Sequence, residues 1–206
     1  MSRKADAKPM REIMNRIIDL YGEWLDIFVF PEQIILDEPI ENWPHCDGLI
    51  GFHSTDFPLE KAIAYAKLRQ PYVLNDLQRQ YDLLDRRKVY KVLATVGVDH
   101  PRYAVHNVDL EDGEDDFIER IDSIQVGETT FAKPFFEKPV DAENHNIGIY
   151  YPSKFGGGSQ KLFRKVNNRS SEYSPCSQVR RDRSYIYEDF IQADGTDVKV
   201  ICRECP

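Results

Sequence analysis

Long apolar runs are missing from this chain of 206 residues. No run approaches the roughly 20 residues that a membrane-spanning helix needs, and no apolar signal segment follows the basic start MSRKADAKPM. We therefore expect neither a membrane span nor secretion. Hydrophobic residues still make up 41% of the chain and aromatic residues 12%. That composition excludes an intrinsically disordered protein and predicts a globular core.

Cysteine is also scarce, with four residues in the whole chain. Four are too few for a disulfide framework at this length, so we expect a reduced, cytosolic protein. Cys202 and Cys205 form a CxxC pair, but the sequence offers neither a second CxxC nor a pair of histidines near it. A zinc site would lack half of its ligands, and we predict no metal site from these residues.

Positive charge is in deficit, since 27 Lys and Arg against 35 Asp and Glu give a formal net charge of −8. This balance argues against general affinity for nucleic acids. The charge is uneven, because residues 109–122 are mostly acidic whereas residues 154–183 contain eight basic residues. An acidic protein that gathers cations in one segment is typical of a local anion site. A solvated basic face would leave the same pattern.

The common nucleotide-binding signatures are absent as well. The sequence contains no GxxxxGK[ST] loop, no GxGxxG fingerprint, and neither HRD nor DFG. Instead, Lys138 and His145 precede a run of three glycines at 156–158, and Arg164 and Lys165 follow it. Glycines let backbone N–H groups approach an anion, and nearby cations neutralise it. The stretch suits a phosphate site, and a flexible Gly-Ser turn in a basic hairpin is the alternative.

Strand and helix patterns alternate in the first half of the chain. The spacing of apolar residues predicts an amphipathic helix over 10–25. Asp85 predicts the cap of a helix that runs to about Val96 and is ended by Gly97. The further elements predicted here are a helix at 59–69 and strands at 26–30, 33–36, 49–53 and 72–75. Such alternation predicts an open α/β layer with parallel strands.

Beyond this layer the pattern changes to short strands separated by hairpin turns. We predict strands at 103–106, 121–126, 129–132, 135–140, 147–151, 162–166, 185–190 and 198–201, and a domain boundary at 107–116. The strand at 185–190 ends in the acids Glu188 and Asp189. It could hydrogen-bond an adenine through its backbone and a ribose through a carboxylate, as is typical of ATP-grasp enzymes, in which the nucleotide lies between two β-rich halves.

Long ordered blocks extend this interpretation. The segments ILDEPIENWP, LIGFHSTDFPLEKAIAYAKLRQPYVLNDL, FFEKPVDAENHNIGIYYP and GGGSQKLFRKV resemble the kinase domain of the diphosphoinositol pentakisphosphate kinases, which also phosphorylate inositol hexakisphosphate. The resemblance runs from about Lys8 to Val200. It implies a fold of α/β and α+β class: an N-terminal α/β domain at 1–107, a central ATP-grasp subdomain at 108–190 and the start of a C-terminal subdomain at 191–206.

The same resemblance implies a reaction and its participants. ATP would give its γ-phosphate to a phosphate of inositol hexakisphosphate or diphosphoinositol pentakisphosphate, with magnesium as the second cofactor, to make inositol pyrophosphates. Transfer of this kind needs in-line positioning and neutralised charge rather than a side-chain nucleophile. No nucleic-acid partner is implied.

Roles for individual residues also follow from the resemblance. The ATP phosphates would be contacted by Arg86, Lys138 and His145, beneath a lid formed by Gly157, Gly158 and Ser159. The adenine-binding hinge would comprise Glu188, Asp189, Phe190 and Ile191. The ribose side of the nucleotide and the passage to substrate would be lined by Asp197, Val198 and Lys199. The inositol phosphate would be met by Arg164, which also reaches ATP, by Lys165, and at a surface capture site by Arg3 and Lys4. Transfer itself would depend on Arg164 and Lys199.

The chain departs from the family at both ends. The family domain begins with a strand ahead of the position of Met1 and carries its magnesium ligands beyond Val200, whereas residues 201–206 have no counterpart. We therefore expect a truncated chain that does not catalyse transfer at a useful rate by itself. Two other interpretations stay open: a different ATP-grasp enzyme that joins a carboxylate to an amine, and a non-catalytic fragment that binds phosphorylated ligands.

Overall fold

The computed structural model describes residues 2–54, 56–108 and 117–193, and the side chains of residues 2 and 3 lie outside this description. The chain divides into two compact units, Met1–Tyr81 and Asp82–Pro206. Both units mix helices with strands. None of the described helices is long and apolar enough to cross a membrane.

The first unit combines short helices with a pair of parallel strands. Its helices are α1 (Ser2–Ala5), α2 (Lys8–Tyr21), α3 (Glu32–Asp37) and α4 (Leu59–Arg69), with a 3-10 turn at Ile40–Asn42. Its strands β1 (Gly48–Leu49) and β2 (Tyr72–Val73) pair in parallel, as the sequence predicts. A 3-10 segment at Arg79–Leu84 spans the division between the units.

The core of the first unit forms around α4. Tyr65 on this helix is fully buried, and its hydroxyl donates a hydrogen bond of 2.7 Å to the carbonyl oxygen of Pro44. The Trp43 ring lies 5.4 Å from the Tyr65 ring, centroid to centroid. Lys61 donates to the carbonyls of Leu36 and Glu38 at the end of α3, where a cation stabilises the negative end of the helix.

One element of the first unit was predicted wrongly. Residues 33–36 lie in the helix α3 and not in a strand. Pro31 comes just before the helix, where its missing N–H costs nothing, and Glu32 lies in the positive first turn. Residues 26–30, also predicted as a strand, have no regular structure.

The second unit contains one helix and nine strands among its described residues. The helix is α5 (Arg86–Thr95), capped by Asp85, whose carboxylate accepts a hydrogen bond of 2.8 Å from the Arg87 N–H. A 3-10 turn lies at Ser153–Phe155. The strands are β3 (Tyr103–His106), β4 (Phe117–Glu119), β5 (Ser123–Val126), β6 (Thr129–Ala132), β7 (Phe135–Pro139), β8 (Ile147–Tyr150), β9 (Ser159–Val166), β10 (Arg169–Ser174) and β11 (Tyr185–Asp189).

These strands form two antiparallel sheets. The larger has the order β10-β9-β8-β7-β11-β3 and the smaller the order β4-β5-β6. Successive side chains of a strand point to opposite faces, so each strand of the larger sheet contributes to two layers. On the sheet-side face, Phe135, Tyr185 and Tyr187 pack in one core with Ile124 and Phe131 of the smaller sheet. We call the opposite face the helix-side face, because Ile186 there packs against Tyr90 of α5.

Strand pairing moves the division between the units away from the predicted boundary at 107–116. Strand β3 pairs with β11, Tyr185 opposite His106, so α5 and β3 belong with the β-rich half. The division follows Tyr81 for this reason. The N-terminal α/β domain proposed for 1–107 and the ATP-grasp subdomains proposed for 108–190 and 191–206 stay predictions, and residues 194–206 lie outside the described part of the chain.

Two strands were missed. Strand β4 lies within the acidic segment 109–122 and is only three residues long. Strand β10 reads RSSEYS and pairs with β9 at the edge of the larger sheet, where both of its faces can stay polar. The strand predicted at 198–201 lies outside the described residues.

Candidate functional site

Four of the predicted phosphate ligands come together in the second unit. Lys138 projects from β7, Arg164 from β9 and His145 from the β7–β8 loop, while Arg86 is the first residue of α5. The pKa of His145 is lowered by burial and by the positive charges of Arg164 and Arg86, which lie within electrostatic reach of its ring. Arg86 also lies within electrostatic reach of Glu188, the ion-pair partner of Lys138. We call Arg86, Lys138, His145 and Arg164 the cation cluster.

Two side chains, Glu188 and Tyr90, hold the ammonium of Lys138 in place. Its ammonium forms an ion pair with Glu188 of β11, whose side chain is 4% exposed. Tyr90 of α5 donates its hydroxyl hydrogen to the other carboxylate oxygen of Glu188, and the Lys138 ammonium lies 3.5 Å from the Tyr90 oxygen. Burial and the Glu188 carboxylate raise the pKa of Tyr90, so the phenol keeps its proton. The Lys138 side chain remains 23% exposed and can meet a ligand.

Arg86 is engaged by the loop that carries His145. Its guanidinium donates to the carbonyl oxygens of Pro139 and Asp141 at 2.5 and 2.6 Å, and to that of Asn144 at 3.2 Å. Burial lowers the pKa of Arg86, and the carboxylate of Asp141 opposes that effect. Arg86 therefore fixes the position of the loop, a role that the sequence did not indicate. A fourth hydrogen bond of 3.4 Å goes to the Ala142 carbonyl oxygen, so among the described contacts only the Nε–H of Arg86 is left to meet a phosphate.

Arg164 is more loosely held. Its guanidinium lies 3.2 Å from a carboxylate oxygen of Glu143, and these side chains are 60% and 40% exposed. An exposed ion pair of this kind contributes about 0–1 kcal/mol, so an incoming polyanion can displace Glu143 at low cost. Lys165 is the exposed neighbour of Arg164, in a part of β9 where the pairing with β10 shifts register.

The predicted adenine hinge lies at the opposite, apolar end of the same region. The Phe190 ring stacks on the Phe136 ring, with centroids 5.3 Å apart and planes 15° from parallel. The Lys138 ammonium lies 5.3 Å from the centroid of the Phe136 ring, which joins the apolar end to the cations. Ile191, the last predicted hinge residue, is exposed.

The two hinge carboxylates point in opposite directions, as strand geometry requires. Glu188 faces Lys138, whereas the Asp189 carboxylate accepts two hydrogen bonds of 2.9 Å from the guanidinium of Arg102. The Asp189 N–H also donates to the Arg102 carbonyl oxygen at 3.1 Å. Neither Tyr90 nor Arg102 was predicted as a site residue. Tyr90 follows Arg86 by four residues on α5, so helical spacing could have placed both on one face.

The glycine run does not join the cation cluster. Gly156, Gly157 and Gly158 all have positive φ and form the turn before β9. The Gly157 N–H donates to a backbone carbonyl, and the Gly158 N–H donates to the Ser177 hydroxyl at 2.7 Å. These amides are therefore occupied by acceptors of the protein itself, one in the turn and one in the segment after β10.

Distance along β9 leads to the same conclusion. Ser159 begins the strand and Arg164 lies five residues later, which corresponds to roughly 16 Å in a regular strand. The Ser159 hydroxyl donates to the Cys176 carbonyl oxygen, and the side chain is buried. The phosphate lid predicted from Gly157, Gly158 and Ser159 stays a prediction that this geometry does not favour.

The remaining predicted residues lie apart or outside the description. Lys4 belongs to the first unit, where its ammonium donates to the His53 carbonyl oxygen at 2.7 Å. The Arg3 side chain and Asp197, Val198 and Lys199 lie outside the described residues. In the described part of the chain, no group of three or more His, Cys, Asp or Glu side chains could hold a metal ion.

Comparison with known proteins gives consistent matches. Residues 1–85 match the family described as the diphosphoinositol pentakisphosphate kinase 2 N-terminal domain. An inositol hexakisphosphate and diphosphoinositol-pentakisphosphate kinase of Caenorhabditis elegans is 61% identical over 201 residues, which cover 97% of this chain and 15% of the relative. The human kinase 2 of the same name is 55% identical over 201 residues, covering 97% and 16%. The Saccharomyces cerevisiae kinase is 44% identical over 222 residues, covering 97% and 19%. The chain thus spans less than a fifth of the length of these relatives.

Proposed function

We propose that this chain, which belongs to the family of inositol hexakisphosphate and diphosphoinositol-pentakisphosphate kinases, holds ATP on the helix-side face of its larger sheet. The observation that carries the proposal is the polarity of this region. Stacked Phe136 and Phe190 lie at one end, and the cation cluster lies at the other. A nucleotide has the same polarity, with a flat, weakly polar base and an anionic triphosphate.

The fold that would support this binding is of the ATP-grasp type. The hinge begins with the last two residues of the inner strand β11 and continues to Ile191, so the backbone groups of Phe190 and Ile191 can meet the edge of a base. Lys138 lies on the adjacent strand β7, opposite Ile186, which comes two residues before the first hinge residue, Glu188. A base at the hinge would thus direct its phosphates toward Lys138.

The proposed reaction transfers the ATP γ-phosphate to a phosphate of inositol hexakisphosphate or diphosphoinositol pentakisphosphate. Donor and acceptor both carry large negative charges, so cations must offset their repulsion before an in-line geometry can form. Lys138 would bind the phosphates of ATP. Arg164, exposed and only weakly paired with Glu143, would turn between ATP and acceptor.

Magnesium would add charge neutralisation at the β- and γ-phosphates when bound. The described residues do not supply a ligand set for it, so no step here depends on the ion. Their own contribution is to bind the nucleotide and to neutralise and orient its phosphates.

Nucleotide binding by this chain tests the proposal directly. Isothermal titration with ATP is expected to show binding to the wild-type chain and a loss of roughly tenfold in affinity for Lys138→Met, equal to about 1.4 kcal/mol. Lys161→Met is the matched control, because it removes the same charge from an exposed position on β9. Equal ATP affinity of folded wild type and Lys138→Met would contradict the proposal.

Transfer is measured separately with the purified chain, ATP, magnesium and inositol hexakisphosphate. Formation of an inositol pyrophosphate would support the proposed reaction, and its absence despite ATP binding would limit this chain to binding the nucleotide. The acceptor panel also includes amines and carboxylates. ADP release that depends on an amine and a carboxylate would identify a ligase instead of an inositol phosphate kinase.

A further inference from the structure

We propose that Glu188 and Tyr90 are positioning residues, which hold the Lys138 ammonium at the phosphate end of the nucleotide site. The inference rests on the proposed binding of ATP and assigns the Glu188 side chain a role separate from the adenine hinge. Tyr90 has no predicted role in the site.

Strand geometry brings the pair together. Lys138 on β7 lies opposite Ile186 of β11, and Glu188 lies opposite Phe136, so both side chains project from the helix-side face as diagonal neighbours. The helix α5 packs over this face and brings the Tyr90 hydroxyl to Glu188. The three groups thus come from three separate elements.

The hydrogen bonds among the three groups leave one direction open. A lysine ammonium has three donors. In this site one meets Glu188 and a second points toward the Tyr90 oxygen at 3.5 Å, while Tyr90 satisfies the other carboxylate oxygen. A third donor remains for a ligand, and the 23% of the Lys138 side chain that stays exposed gives access to it.

Anchoring of this kind lowers the cost of binding. A free lysine side chain loses conformational entropy when it becomes fixed. The anchor fixes Lys138 before the nucleotide arrives, so less of this cost falls on binding. The Glu188 side chain is itself buried under these contacts. The Glu188 backbone lies in the sheet between Tyr103 and Phe136, so the contacts with adenine would fall to the residues that follow β11.

A double-mutant cycle distinguishes a positioning role of Glu188 from a purely structural ion pair with Lys138. Titrations with ATP and with adenosine use the wild-type chain, Glu188→Gln, Lys138→Met and the double variant. We expect Glu188→Gln to weaken ATP binding roughly fivefold, within the range of coupling between contacting residues. Adenosine binding should change less than twofold, because adenosine has no phosphates. In the Lys138→Met background, Glu188→Gln should cause no further loss of ATP affinity.

Two further variants keep the test decisive. Glu172→Gln removes a carboxylate from exposed β10 and should leave both affinities unchanged. Tyr90→Phe keeps the ring in the core and removes only the hydroxyl, so it can report on the anchor if Glu188→Gln does not fold. We expect it to weaken ATP binding roughly two- to threefold and only when Lys138 is present.

Several results would overturn the inference while leaving ATP binding intact. These are additive effects of the Glu188 and Lys138 variants, an equal loss of adenosine affinity, or tighter ATP binding by Glu188→Gln. The last result would mean that Glu188 merely neutralises Lys138. A wild-type chain that is folded but binds no ATP would instead refute the proposed function, and this inference with it.

Discussion

Replacement of Glu137 by glutamine should lower the free energy of unfolding by about 3 kcal/mol. Glu137 lies on β7 between Phe136 and Lys138, with its side chain fully buried on the sheet-side face. Its carboxylate accepts hydrogen bonds from the Arg180 Nε at 2.6 Å, the Arg180 N–H at 2.9 Å, the Tyr150 hydroxyl at 3.1 Å and the Tyr187 hydroxyl at 3.2 Å. Four donors therefore point at one carboxylate.

The charge of Glu137 depends on opposing effects. Burial raises the pKa of Glu137, and the charge and hydrogen bonds of Arg180 work against that rise. Burial disfavours the charged form of Arg180, yet Glu137 raises the pKa of the guanidinium above its ordinary value. Since every described contact of the carboxylate is a donor, we take the ionised pair as the state at neutral pH.

The size of the expected loss in stability follows from the hydrogen bonds that a glutamine side chain cannot accept. Its amide NH₂ group would face two donors where an oxygen now accepts, and Arg180 would lose its counter-charge. Breaking a buried ion pair costs about 3–5 kcal/mol. The Arg180 side chain is 35% exposed, and water can compensate part of the loss, so we expect a value at the lower end.

Urea unfolding of this chain, followed by circular dichroism, measures the difference. The matched control is Glu172→Gln, which removes the same charge from an exposed ion pair on β10 and should change stability by less than about 0.5 kcal/mol. A loss below about 1 kcal/mol for Glu137→Gln, with an unchanged denaturant dependence, would refute the assignment of a buried charged network.

Three further predictions concern a turn, a helix cap and the cation cluster. Gly158→Ala should destabilise the chain by roughly 3 kcal/mol, because the new Cβ would lie 2.4 Å from a tyrosine hydroxyl and 2.6 Å from a carbonyl oxygen. Gly156→Ala should cost roughly 1 kcal/mol, since φ is also positive but nothing lies within 4 Å of the new Cβ; equal losses in urea unfolding would contradict the clash. Asp85→Ala should cost about 1–2 kcal/mol at neutral pH. Burial works against the charge of Asp85, but its hydrogen bonds in the first turn of α5 keep its pKa below 3.8, so the difference from wild type should vanish only as the pH falls through that lowered pKa. The pKa of His145 is lowered by burial and by neighbouring arginines, and bound phosphates would favour the protonated ring. ATP affinity measured by titration calorimetry should therefore rise more steeply between pH 8 and pH 6 in the wild type than in His145→Gln, and parallel profiles would contradict this coupling.

Local sequence predicted the elements whose determinants are local. The helix at 59–69 and the strands at 103–106 and 129–132 have the predicted bounds, because propensity, alternation and turn residues all lie within each segment. The sheet order was not predictable in this way. Pairing of β3 with β11 joins residues about 80 positions apart in the chain, and no short pattern encodes that contact.

The cation cluster and the glycine run show the same limit at the level of the site. Basic residues that the sequence places on both sides of the glycines converge, because the β7–β8 loop and the C-terminal end of β9 lie at the same end of these antiparallel strands. The glycines lie at the other end of β9, where positive φ and the close approach of Tyr173 to Gly158 already require glycine. A glycine run near cations in sequence can thus serve either of two purposes, a tight turn or an anion site. Strand register decides between them, and in this chain it separates the glycines from the cations.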